Sequence, residues 1–260
     1  MTDVQLGALG TATAFVTITA GGNDTGFADV LTECAKPAWA SNCQASVDRG
    51  LAIAQDVLPA RLSTLYAAIR RRAPHAQVVV GGYPRIFNGQ DCNALTWFSP
   101  TEMTRLNASA DVLNARLSAA ARTAGFGYSS PTAAFTGHAV CDRPEWLNGL
   151  SSPVGESYHP NRLGHSAGYT PLIGTALTGS RITVTATTRA RAAASTVQLA
   201  ARQRPHAAAD RTITPKPFRA PDLDSPQIEA AAARAGVDLT SRASIDTLDR
   251  AYEARQRTRE

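Results

Sequence analysis

At 260 residues and 43% hydrophobic content, the chain is long enough for one large domain with a proper core, or for a domain with an appendage. Its net charge of +5 is confined to the end of the chain: residues 1–179 hold 12 Lys+Arg against 12 Asp+Glu, and residues 180–260 hold 14 against 9. In that tail the arginines are interleaved with acids and only Phe218 and Tyr252 are aromatic, which argues against nucleic-acid binding. No apolar run approaches the ~18 residues that span a bilayer, and Met1-Thr2-Asp3-Val4-Gln5 lacks the basic start and apolar stretch of a signal peptide.

The first structured run is Ala14-Phe15-Val16-Thr17-Ile18-Thr19-Ala20, with the length and β-branching of a buried strand. Gly21-Gly22-Asn23-Asp24 ends it, as at the carboxyl edge of an open α/β sheet, where ligands bind. Those four residues are also ordinary turn chemistry, but Asn23 offers a neutral amide donor suited to an oxyanion hole. A loop is expected from Phe27 to Gln44. A helix is expected over about 47–72, with Leu51, Ala54, Leu58, Leu62, Leu65 and Ile69 on one face and Pro59 kinking or dividing it.

Gln77-Val78-Val79-Val80-Gly81-Gly82 reads as a second buried strand, and the β–helix–β alternation implies parallel pairing. The loop to Ser99 carries Cys92, Trp97 and Phe98. Ser99-Pro100-Thr101-Glu102 is a capping box with a first-turn proline, and its helix stops at Gly125. Phe126-Gly127-Tyr128 is a short last strand. The loop from Ser130 delivers Glu156-Ser157-Tyr158-His159-Pro160, and Asn161 caps a helix from about Arg162 to Leu177. His159, on a loop beside a helix start, is placed for general-base work, whereas His138 and His165 are weaker candidates. Residues 180–220 are Ala-, Thr- and Arg-rich with scattered Pro and read as linker or disorder. Two short helices, from Ser225-Pro226 to Gly236 and over about 241–256, form a hairpin too small to stand alone.

The four cysteines, Cys34, Cys43, Cys92 and Cys141, include no C-x-x-C pair, so no zinc site is expected. Two disulfides, with three possible pairings, or four buried thiols are the alternatives.

Together, Gly21-Gly22-Asn23-Asp24 and Glu156-Ser157-Tyr158-His159-Pro160 resemble the third and fifth blocks of the SGNH (GDSL-type) esterases and lipases, in their secreted actinobacterial branch. The stretch His138-Ala139-Val140-Cys141 through Trp146-Leu147-Asn148-Gly149 is similar to that branch as well, and the resemblance covers about residues 4–179. It implies a three-layer α/β/α, flavodoxin-like fold with sheet order 2-1-3-4-5 over residues 1–179; beyond it, composition alone gives a linker (180–220) and a helical hairpin (221–260). It implies Asn23 as oxyanion donor, with Gly21, Gly22 and Asp24 as the supporting loop, and His159 as catalytic base. Glu156 takes the place of the Asp that orients the His, although some relatives use a backbone carbonyl. It implies bridges Cys34–Cys43 and Cys92–Cys141, hence an oxidising, extracellular setting. The activity implied is hydrolysis of a small ester or lipid through an acyl-enzyme by a monomer, without cofactor or metal, nucleic-acid partner or stable membrane insertion. One departure stands out: the family's Gly-Asp-Ser nucleophile block occurs nowhere in the 260 residues. The chain is therefore expected to begin after that block and to lack the fold's first strands. An inactive remnant and an exported interaction protein are the competing readings.

Overall fold

The computed structural model describes residues 5–214 and 216–257; the N-terminal residues 1–4 lie outside it. Three parallel strands form one sheet in the order β1 (Phe15–Ile18), β2 (Gln77–Gly81), β3 (Gly127–Ser129). Phe15 stands opposite Gln77, and Val79 opposite Gly127. The helices of this part are α1 (Phe27–Cys34), α2 (Cys43–Ala52), α3 (Leu58–Arg72), α4 (Pro100–Thr123) and α5 (Thr170–Thr178).

Helices α3 and α4 bring Leu62, Tyr66, Ile69, Leu113 and Leu117 against Val78 and Val80 on one face of the sheet. Helix α5 packs on β2 and β3 from the other side. The result is the helix–sheet–helix sandwich of an α/β fold. A second core lies beyond the strands' carboxyl ends, where Leu31, Phe87, Phe98, Met103, Leu147 and Tyr158 pack together.

Local chemistry accounts for most element ends. Ser99 Oγ accepts from the Glu102 N–H at 3.2 Å while Glu102 Oε2 accepts from the Ser99 N–H at 3.0 Å, the expected capping box. The long helix over 47–72 is divided rather than continuous: a π-helical turn over Ile53–Val57 precedes Pro59, which enters the first turn of α3 and so needs no hydrogen-bond acceptor. Asn161 Oδ1 accepts from the Leu163 and Gly164 N–H groups at 2.9 and 3.0 Å, capping a π-helical turn (Gly164–Tyr169) that runs into α5.

One expectation fails in this part. The loop from Phe27 to Gln44 contains helix α1, because Phe27, Val30, Leu31 and Cys34 share one helical face and α1 begins without a capping side chain at Gly26. The first strand, whose residues read as buried, lies at the sheet edge with Phe15 57% exposed, as expected of the order 2-1-3-4-5 without its first two strands. Both disulfides, Cys34–Cys43 and Cys92–Cys141, are formed as the resemblance implies.

After α5 the chain continues as α6 (Ala186–Gln203), a short α7 (Ala207–Asp210), α8 (Pro226–Ala235) and α9 (Arg242–Arg257). Residues 180–220, read from composition as linker or disorder, thus hold helices, although α6 buries none of its residues. Phe218, Ile228 and Ile245, by contrast, are each buried to 2% exposure. No helix among the described residues is long and apolar enough to cross a membrane.

Candidate active site

The turn after β1 is set by two glycines. Gly21 has φ +120°, which side chains rarely adopt, and a Cβ there would press on Leu58 at 3.3 Å. The Gly22 N–H donates to the Tyr83 hydroxyl at 3.0 Å. Tyr83 is fixed in turn by Asn114, which accepts from its N–H at 2.8 Å and donates to its carbonyl at 2.7 Å. Burial pushes the Tyr83 hydroxyl's pKa up, so it stays a neutral partner for that N–H. The turn closes through Thr25 N–H to the Gly21 carbonyl and Phe27 N–H to the Gly22 carbonyl, each 3.1 Å. Asp24 pairs with Arg61 at 2.9 Å on the outside of the turn. Asn23 is exposed at the turn's tip.

The histidine loop is built as closely. Asn148 clamps it: its carbonyl accepts from the Tyr158 N–H, its N–H donates to the His159 carbonyl, and its side chain donates to the Glu156 carbonyl at 3.0 Å. His159 Nδ1 sits 3.0 Å from the Ser157 carbonyl oxygen. A carbonyl only accepts, so Nδ1 carries a proton, and in the neutral ring Nε2 then holds the lone pair that a general base uses. Glu156 is exposed, in a 3₁₀ turn over Val154–Glu156. The group on Nδ1 is thus a backbone carbonyl rather than that carboxylate. Phe27 meets the His159 ring edge-on, 6.2 Å between centroids.

The turn and the loop face one cavity of about 440 Å³. Its lining includes Gly21, Gly22, Asn23 and His159, together with Tyr83 and Tyr169. Val47, Leu51, Ile86, Leu106 and Leu113 make its apolar wall. His165 also lines it, whereas His138 lies stacked on Trp146 with 3.9 Å between ring centroids. The lining holds one serine, Ser109, whose Oγ donates to the Leu106 carbonyl at 2.7 Å. Cys92, Cys141 and Glu145 cluster elsewhere, but the two sulfurs are bonded to each other and present no thiolate for a metal.

Tyr83, Asn114 and the Ser157 carbonyl were not singled out from the sequence. The signal for Tyr83 was its place directly after the β2–glycine exit; nothing local marks the other two.

The sequence profile of the GDSL-like lipase/acylhydrolase family matches residues 2–167, well over half of the chain. Lipase 1 of Streptomyces coelicolor is 40% identical over 171 residues, which cover 65% of this chain and 62% of the relative. A lipase of Streptomyces rimosus is 40% identical over 173 residues, covering 66% and 63%. The chain thus spans about 62% of the length of these curated relatives. Among solved structures, the extracellular lipase from Streptomyces rimosus superposes with a TM-score of 0.60 at 39% identity, covering 66% of this chain and 73% of that one. Phospholipase A1 from Streptomyces albidoflavus NA297 gives 0.62 at 40% identity, covering 66% and 72%.

Proposed function

The chain belongs to the GDSL-like lipase/acylhydrolase family, and from that premise we propose that it carries the base and oxyanion half of a carboxylic ester hydrolase. The observation that supports this most is His159: its Nδ1 donates to the Ser157 carbonyl, and the residue lines the same cavity as Asn23. In this reading a serine hydroxyl from a Gly-Asp-Ser segment attacks the ester carbonyl and passes its proton to His159 Nε2. The Asn23 amide donates to the developing oxyanion. The imidazolium, steadied by the Ser157 carbonyl, returns the proton to the leaving alcohol, and water then releases the acyl group by the same route. Glu156 acts through its backbone, as part of the turn that presents Ser157.

The apolar wall of Val47, Leu51, Leu106 and Leu113 suits the acyl part of a small ester or lipid. The two disulfides favour an extracellular setting. Residues 1–260 contain no Gly-Asp-Ser, which favours a second statement: taken alone, these residues form no acyl-enzyme.

The test is a fluorophosphonate label with a short-chain ester assay, on residues 1–260 and on the same chain with a family Gly-Asp-Ser segment fused ahead of it. Label and turnover are expected only in the fusion. There His159→Ala abolishes turnover and Asn23→Ala lowers it on the order of 10²–10³-fold. Stoichiometric labelling of Ser109 in residues 1–260 overturns the proposal.

A further inference from the structure

The segment after residue 167 lies outside the family match, yet part of it reaches the back of the histidine loop. Tyr158, the neighbour of His159, has φ +61°, an uncommon backbone state for a bulky residue. Its ring is 2% exposed and held among three aromatic rings. Phe87 and Phe98 stand at 5.9 and 5.6 Å. The nearest ring is Phe218, at 4.9 Å and 79°. Pro217 lies beside the same loop, its Cβ 3.7 Å from where a Gly155 Cβ would lie.

That short stretch is anchored on both sides. The Arg219 N–H donates to Thr32 Oγ1 at 3.0 Å, on α1. Beyond it, α9 is fastened to the loops flanking the second core. Asp246 Oδ1 accepts from Trp97 Nε1 at 2.9 Å, and Asp249 Oδ1 accepts from the Ala38 N–H at 2.6 Å. Arg242 lies over the Trp97 ring at 4.3 Å. The tail therefore has an anchor, a plug and a target: α9, Phe218 and Tyr158.

We propose that residues 217–219 are a positioning strap for His159, in which Phe218 holds Tyr158 in its left-handed conformation and so keeps the imidazole on the Ser157 carbonyl. Phe218 is a positioning residue; it touches no reacting atom. The proposal rests on the reading of His159 as base for its meaning, but its test needs no turnover. Failure here leaves the base assignment intact, and failure of His159→Ala to abolish turnover leaves the strap intact.

The test is the ¹⁵N imidazole spectrum of the full 260-residue chain, which reports the tautomer of each histidine. His138 is an internal standard, because its Nδ1 also faces a carbonyl, that of Pro144 at 2.9 Å, and none of the strap contacts involves it. In the native chain both residues show the Nδ1–H form. In Phe218→Ala the Nδ1–H to Nε2–H ratio of His159 is expected to fall on the order of tenfold, the worth of one hydrogen bond, while His138 stays unchanged. Phe218→Leu, which keeps an apolar plug, restores His159. An unchanged His159 in Phe218→Ala overturns the proposal. So does loss of the Nδ1–H form at both histidines together, since Phe218 would then serve the fold as a whole rather than the loop.

Discussion

The turn over residues 21–24 hangs on one phenol. Gly22 presents its N–H to Tyr83, and the two residues are 61 positions apart. Tyr83→Phe keeps the ring and removes the acceptor, leaving a buried N–H unpaired. The expected cost is about 1–3 kcal/mol of stability, read as a lower denaturant midpoint at unchanged slope; an unchanged midpoint would show that water replaces the phenol. Glu156 makes the opposite prediction. With the Ser157 carbonyl on Nδ1, Glu156→Gln in a Gly-Asp-Ser fusion leaves kcat within about twofold, whereas loss of a charge that steadies the imidazolium lowers it far more. Asn23 and His159 stand out in the sequence as candidates because each is a side-chain identity at a fixed place in a short motif, and the structure places both in the lining of one cavity. The group on Nδ1 is left open in the sequence between Glu156 and a backbone carbonyl, since a carbonyl has no residue letter to mark which one. Asn114 was hidden for another reason: it lies on the otherwise apolar face of a helix, and only the fold brings Tyr83 to it.

Among the elements, those with chemistry at their ends were readable and those defined by packing were not. Ser99 and Glu102 announce α4, and Pro59 announces the break before α3. Helix α1 starts without a side-chain cap and is only eight residues long, so the sequence reads there as loop. Helix α9 was visible as a helix, but its docking was not, because Asp246 and Asp249 look like ordinary surface acids. Docking buries Asp249 and sets it near Glu102, the capping residue of α4. Burial raises Asp249 to a pKa of about 6 and Glu102 to about 7, with Glu253 and Asp246 adding like charge and Arg250 opposing it at Asp249. Each raised carboxyl favours the docked state when protonated. Its contribution is full below about pH 4, its ordinary titration range, and is lost as pH rises through 6 to 7. At most, the loss is on the order of 3 kcal/mol per group. Amide exchange in α9, corrected for its intrinsic pH dependence, is therefore expected to quicken between pH 5 and 8. Glu102→Gln keeps the capping acceptor and flattens the upper part of that slope. A protection profile independent of pH would mean that both carboxyls are solvated.

For the whole molecule, two covalent staples and one exposed edge decide how the chain behaves. The bridges close 9 and 49 positions, so chain entropy assigns them about 3 and about 4 kcal/mol. Replacing Cys92 and Cys141 by Ser is accordingly expected to lower the melting temperature more than replacing Cys34 and Cys43. The sheet itself was legible as alternation of strands with helices, and its parallel pairing followed. That β1 lies at an edge is not written in its own residues, since Phe15-Val16-Thr17-Ile18 reads like any central strand; it follows from the implied order 2-1-3-4-5 without strands 1 and 2, and the strand order agrees. One side of β1 therefore presents N–H and C=O groups with no neighbouring strand among the described residues, and Phe15 stands 57% exposed beside them. Such an edge is a template for pairing with another copy. Residues 1–260 are expected to self-associate, with a soluble fraction that falls as concentration rises. Phe15→Lys puts a charge on the edge without touching the cavity or either disulfide. It is expected to raise the soluble fraction severalfold at equal expression, measured by sedimentation after refolding with the disulfides intact. If Phe15→Lys and the native sequence sediment alike, the edge is not what drives association, and the exposed apolar residues of α6, Val197 and Leu199, become the next surface to charge.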